Sequence, residues 1–367
     1  MSSFSQPDTD LVVPAFDVRA LARRAAVPAA LAAAAATAVV VAGGPLHAFA
    51  HALRRALDAD PRWVIGGAIF ELLSFAGYVA LFWMVGSRAT KRLGLRESTQ
   101  VTLGGAAATR LLPTAGVGGA AMTLWALRRA GLGSRGATRT LLGFLIVLYS
   151  IFLGAIATSG GVIALGLAPA DGPLALSAIP AAAATLAIVA ALVLGARRPR
   201  TPARTGRLHA TADVFGAAVR DAIGHVRSAD PRLLGAIAWW TFDASVLWAM
   251  LNAFGAAPPF AVVVLAYFVG QVGNTIPIPG AVSGGIVGVL VAFSVPADLA
   301  LVSVLAYRAI AIWLPAPIGL VALGSLRQTM ARWSEEDAPA APAQPAPAPA
   351  PVARKPRPCP EPALLAA

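Results

Sequence analysis

Residues 260–295 read FAVVVLAYFVGQVGNTIPIPGAVSGGIVGVLVAFSV, an apolar run broken at its centre by Pro277, Pro279, Gly280, Gly284 and Gly285. The connections on either side, 255–259 and 294–298, carry no positive charge. A segment that starts and ends on one side has crossed twice or has dipped in and returned. Both arms are short and the tip is rich in Gly and Pro, so a re-entrant hairpin is expected. Broken backbone at membrane depth is tolerated where protein or a cavity surrounds it.

Residues 100–126, QVTLGGAAATRLLPTAGVGGAAMTLWA, are built the same way, with the break at Pro113, Gly118 and Gly119 and with basic flanks. The two tips align without a gap. Pro113-Thr-Ala-Gly-Val-Gly-Gly matches Pro279-Gly-Ala-Val-Ser-Gly-Gly. Around each lies the same order of span, hairpin and span, giving units at about 62–168 and 232–325. Charge places the first hairpin's entry on the basic side and the second's on the opposite side. That is an inverted-topology repeat, a layout in which Gly/Pro-interrupted segments of both halves mark a site near the midplane.

Composition agrees with a membrane chain. Of 367 residues, 57% are hydrophobic and 13% charged, where a soluble domain carries about 25% charged residues. Further apolar runs lie at about 25–41, 63–86, 141–168, 174–196, 233–254 and 298–325. The first, behind Arg19, Arg23 and Arg24, resembles a signal peptide but is read as an uncleaved span. The fold class is therefore all-α: a polytopic bundle of about six full spans and two re-entrant hairpins.

The basic islands are 87–98, 128–139, the stretch 197–232 with eight arginines against three aspartates, and Arg327 with Arg332. By the positive-inside rule these are cytoplasmic, as are both termini. The loop 51–62, with Arg54, Arg55 and Arg62, fits that orientation poorly. Residues 1–24 are expected to be a disordered N-terminus, 25–332 the membrane domain with 197–232 as a long loop, and 333–367 a disordered Pro/Ala tail. The net charge of +12 does not point to nucleic acid, since the basic residues flank apolar spans instead of interleaving with aromatics.

Three ionisable residues sit inside spans: Glu71, Asp243 and Arg308. Each costs about 2.5–3.5 kcal/mol at bilayer depth on insertion scales, so they should face one another or a wet cavity. Two readings stay open for Asp243 and Arg308: a polar path for a charged headgroup with Arg308 on phosphate, or a structural ion pair. Glu71 could also snorkel to the interface. Tyr307 adjoins Arg308, and Gln271 and Asn274 precede the second tip, placed to satisfy freed backbone or a ligand. The Gly-Gly pairs serve close helix approach or free half-helix N-termini to meet an anion. No metal-spaced cluster, cofactor fingerprint or Gly-x-Ser-x-Gly occurs, so neither metal nor cofactor is expected and no enzyme activity.

At these residues the chain resembles the lysylphosphatidylglycerol synthase transmembrane-domain family, which also supplies the membrane portion of the bacterial multiple peptide resistance factor. The resemblance covers roughly 20–330. It is carried by Asn274-x-x-Pro277-x-Pro279-Gly280, by Leu305-Ala-Tyr307-Arg308-Ala-x-x-x-Trp313-Leu-Pro315 with Gly319, and by Leu112-Pro113-x-x-Gly-Val-Gly-Gly with Trp125-x-Leu-Arg-Arg-Ala-Gly131. It implies a lipid translocation module, joined in some members to a soluble aminoacyl transferase domain. Only the Pro/Ala tail follows Arg332, so aminoacylation is not carried over. Many relatives bear charge just after the glycine turns, where this chain reads Gly284-Gly-Ile-Val-Gly and Gly119-Ala-Ala-Met-Thr. Attention therefore moves to Asp243 and Arg308. Expected partners are membrane lipids, anionic ones foremost, and beyond them a homodimer or a transferase. The alternative to a flippase is a non-translocating lipid-binding accessory.

Overall fold

The computed structural model describes residues 59–111, 117–197, 207–275 and 280–337. The apolar run 25–41 lies outside these, as do Pro113, Pro277 and Pro279. The first described helix, α1 (Pro61–Ala89), starts where a carboxylate and a proline coincide. Asp60 accepts a hydrogen bond from Arg62 N at 2.9 Å, and Pro61 takes the first helical position, where a missing N–H costs nothing. At 29 residues it is about 43 Å long, enough to cross with a tilt.

The first hairpin follows as α2 (Leu95–Leu111) and α3 (Val117–Arg129), and α4 (Ser134–Ala164) closes the unit. Two helices connect the units: α5 (Leu174–Ala196) and α6 (Arg207–Arg227). The second unit has α7 (Leu234–Ala253), the hairpin α8 (Phe260–Gln271) with α9 (Ala281–Ala292), and the closing helices α10 (Ala297–Trp313) and α11 (Pro315–Glu336). The elements are helical throughout the described residues. Five are long and apolar enough to span: α1, α4, α5, α7 with its leading turn, and α10 with α11. Each arm of the second hairpin has 12 residues, or about 18 Å, short of the ~30 Å a full crossing needs.

Packing shows how the units face each other. The leading spans α1 and α7 form the most extensive interface and run antiparallel. Asp60 N bonds Ala253 O at 3.1 Å at one end, and Ser74 Oγ bonds Trp239 O at 2.9 Å further along. Their crossing is glycine on glycine: a methyl added at Gly77 would lie 2.8 Å from Gly235 O. Without a hydrophobic drive between helices in lipid, such backbone approach is what holds spans together.

Each unit then lends its closing helix to the other's hairpin. α4 packs antiparallel on α8, with Phe152 and Phe268 rings 5.2 Å apart. α11 packs antiparallel on α2, where Thr329 Oγ1 bonds Gln100 Oε1 at 3.0 Å. The exchange is reciprocal, as an inverted repeat requires.

Three sequence expectations need correcting. The stretch 197–232 is not simply a loop, because α6 runs through it and buries Ala218, Val219 and Ala222 against its neighbours. These apolar residues recur at helical spacing among the arginines, so the stretch packs on α4 and α5 while its charges stay out. The closing helix does not stop at 332 but continues to Glu336, held where the Arg92 guanidinium forks onto Asp337 at 2.6 and 2.8 Å. And the last span is two helices, because Pro315 has no N–H to continue the ladder.

Candidate functional site

The helices of both units converge on a cavity of about 340 Å³. α2 and α3 supply Gly105, Thr109, Gly119 and Thr123; α4 supplies Phe144, Leu148 and Tyr149; α7 supplies Trp239, Trp240 and Asp243. Gln271 and Asn274 enter from the end of α8 and the turn after it, and Tyr307 and Arg308 from α10. Five of the six sequence-chosen candidates thus meet here. Glu71 does not line this cavity; it is fully buried in α1, in the wall of a second, apolar groove. It is therefore not snorkelling.

Asp243 is 3% exposed, and its Oδ2 accepts a 2.5 Å hydrogen bond from the Tyr267 hydroxyl. Its Oδ1 has no hydrogen-bond partner among the described residues. A buried carboxylate oxygen left open on a cavity wall is costly and calls for water, a proton or a ligand group. Arg308 is half-buried on the same cavity, and among the described residues no ion pair joins it to Asp243. The ion pair expected as one alternative is not formed; Asp243 takes its hydrogen bond from Tyr267 instead. The cavity thus holds an acceptor and a cation that do not neutralise each other directly.

A second chain of hydrogen bonds orders the other wall. Asn274 Nδ2 donates to Gln271 Oε1 at 2.7 Å, and Gln271 Nε2 donates to the Tyr307 hydroxyl at 3.1 Å. Tyr267, Gln271 and Asn274 follow one another at i, i+4 and i+7, so one helical stripe carries all three. Tyr267 and Tyr307 stack edge to face with centroids 6.1 Å apart. Among the described residues these side chains bond one another.

The glycine pairs divide their work. A methyl on Gly119 would collide with Thr109 Oγ1 and Gly105 O, and one on Gly285 would lie 3.1 Å from Gly270 Cα. These second glycines therefore close the two hairpins. Gly284 faces open space, and Gly280 has φ +84°, a left-handed turn that admits glycine readily as the chain enters α9. Gly118 opens the first turn of α3 beside Gly119, which lines the cavity. The first turn of α9 is not part of that lining among the described residues. Among the described residues, the first turn of α3 and not that of α9 borders the cavity.

Sequence reasoning missed Tyr267, Tyr149 and the tryptophan pair Trp239–Trp240. Trp240 Nε1 donates to Leu148 O at 2.8 Å, fixing α7 to α4 beside the cavity. The helical spacing of Tyr267 from Gln271 was the one available signal.

These features define a polytopic α-helical membrane protein made of two inverted units around a shared polar cavity. The chain belongs to the family of the lysylphosphatidylglycerol synthase TM region, whose model matches residues 22–319. No curated protein matches it. The family assigns a lipid-related membrane function.

Proposed function

We propose that this protein translocates a lipid headgroup across the cell membrane through the cavity between its inverted units. The observation that carries the reading is the open pair of Arg308 and Asp243 on one cavity, walled by both hairpins and both leading spans. Arg308 would hold a phosphate, while Asp243 with Tyr267 would exchange a proton or meet a cation. Anionic phospholipids are the substrates this cation suits. No covalent step is needed, and the reading is of a transporter and not of an enzyme.

The orientation is part of the proposal. The ends of α1, α3 and α11 and the start of α2 gather basic residues at one end of the bundle. There Arg92 meets Asp337, Arg129 Nη1 bonds Ser334 Oγ at 3.1 Å, and Arg88 meets Asp230 at 3.2 Å. A basic end of this kind favours the cytoplasmic face and its anionic lipids. The test is leaflet exchange of labelled anionic phospholipids in proteoliposomes. Exchange should exceed that of protein-free liposomes and fall in folded Arg308→Ala and Asp243→Asn variants. Absence of exchange for several headgroup classes, from folded protein, would refute the reading.

A further inference from the structure

A second hollow of about 410 Å³ opens on the flank of the bundle, between α1, α2 and the α10–α11 junction. Its walls are apolar. Glu71 and Thr99 are the exceptions by residue type, and the Thr99 hydroxyl donates to Leu95 O at 2.8 Å. Glu71 closes the inner wall and is fully buried. Along α1 the groove runs from Glu71 to Trp83, about 18 Å at the helical rise. Half of a ~30 Å hydrocarbon core is about 15 Å, the length of one leaflet's chains.

The groove adjoins the polar cavity on three helices. On α2, Leu95, Thr99 and Leu103 line the groove and Ala106 lines the cavity. Those positions, at i, i+4, i+8 and i+11, form one stripe. On α10, Arg308 and Ala311 line the cavity and Leu314 the groove, again at helical spacing. On α1, Tyr78 faces the cavity while Phe75 and Val79 face the groove. The two spaces therefore lie side by side along these three helices.

A polar chamber beside an apolar slot of one leaflet's depth has the shape of an amphiphile. We propose that the groove holds an acyl chain of a membrane phospholipid whose phosphate-bearing headgroup occupies the Arg308 cavity. This rests on the translocation reading for the headgroup and adds that the substrate is an intact lipid, its tail kept in a protein slot beside the headgroup's path. The occupant comes from the bilayer itself: Leu72 and Ile318 on the groove's rim are exposed among spans, where hydrocarbon is the surrounding medium.

The test uses the full chain in liposomes containing phosphatidylglycerol with a photoactivatable group on its acyl chain, with adducts mapped by peptide mass spectrometry. Labelling should concentrate in the groove several-fold over the outward face of α5, where Leu186 reports ordinary lipid contact. Ala76→Trp places a large ring in the groove from an exposed position, so the fold should survive, and it should abolish the enrichment. Arg308→Ala should lower it, because head and tail belong to one molecule. Groove labelling no greater than on α5 overturns the inference. So does enrichment indifferent to Arg308→Ala, which would make the groove an independent lipid site. Leaflet exchange measured in the same liposomes reads translocation separately, so groove labelling without exchange would sink the transport reading and leave the lipid site standing.

Discussion

The two hairpins are alike as architecture and unlike as chemistry. Each returns on itself at a break, each is closed by the second glycine of a pair, and each is backed by the other unit's closing helix. Yet α2 and α3 bring small residues and threonines to the cavity, whereas α8 and its following turn bring Gln271 and Asn274, and α8 also carries the tyrosine that holds Asp243. Thr109 and Thr123 spend their hydroxyls on the carbonyls of Gly105 and Gly119, at 2.9 and 2.8 Å. The closing spans differ likewise: α4 offers Phe144, Leu148 and Tyr149 where α10 offers Tyr307 and Arg308. Symmetry supplies the space and asymmetry supplies the ligand groups.

The sharpest way to break this comparison is at Arg308. A charged hydrogen-bonding group is worth about 1.5–3 kcal/mol, so Arg308→Ala should slow anionic-lipid exchange by about tenfold or more, while Arg308→Lys should restore part of it. Next come the hairpin seams. Gly119→Val and Gly285→Val should each cost about 1–3 kcal/mol by overpacking, read as similar falls in thermal unfolding temperature. A large difference between the two would mean the hairpins are not equivalent as packing. The chemical asymmetry predicts the opposite pattern nearby: Asn274→Ala should slow exchange a few-fold, at about 0.5–1.5 kcal/mol for a neutral hydrogen bond. Thr123→Ala should leave it unchanged.

The smallest expected effect lies at the basic end, outside both hairpins. The Arg232 guanidinium, bonded to Asp230 through Nε at 3.0 Å and Nη2 at 2.7 Å, holds that carboxyl at about 2, with help from Arg88. A depressed folded value means the contribution is present above the ordinary carboxylate range and is lost as pH falls from about 4 towards 2. After allowance for solvent, about 1 kcal/mol is expected, seen as acid-sensitive melting that Asp230→Asn flattens. Insensitivity of the wild-type melt across that window would remove the contact from the stability argument.

The order of elements and the five spans among the described residues, of about six expected, were legible because apolar length is a local signal. The helix α6 was not, since counting arginines in 197–232 hid the spacing of Ala218, Val219 and Ala222. That Asp243 and Arg308 share a space could be read from the cost of burying charge. That they leave each other unpaired could not, nor could the bond from Tyr267, a residue inside an apolar run whose hydroxyl meets α7 only in the folded bundle. Glu71 shows the same limit: its place inside a span was legible and the apolar groove it lines was not.

The α1–α7 pair carries one further consequence. It is fastened at three levels, by Asp60 to Ala253 at one end, by Ser74 and the glycine crossing within, and by Arg88 to Asp230 at the other. Bonds spread along the whole length of a pair resist both sliding and splaying. In mechanical terms these two helices are a stator, the fixed beam against which the hairpins of both units are set.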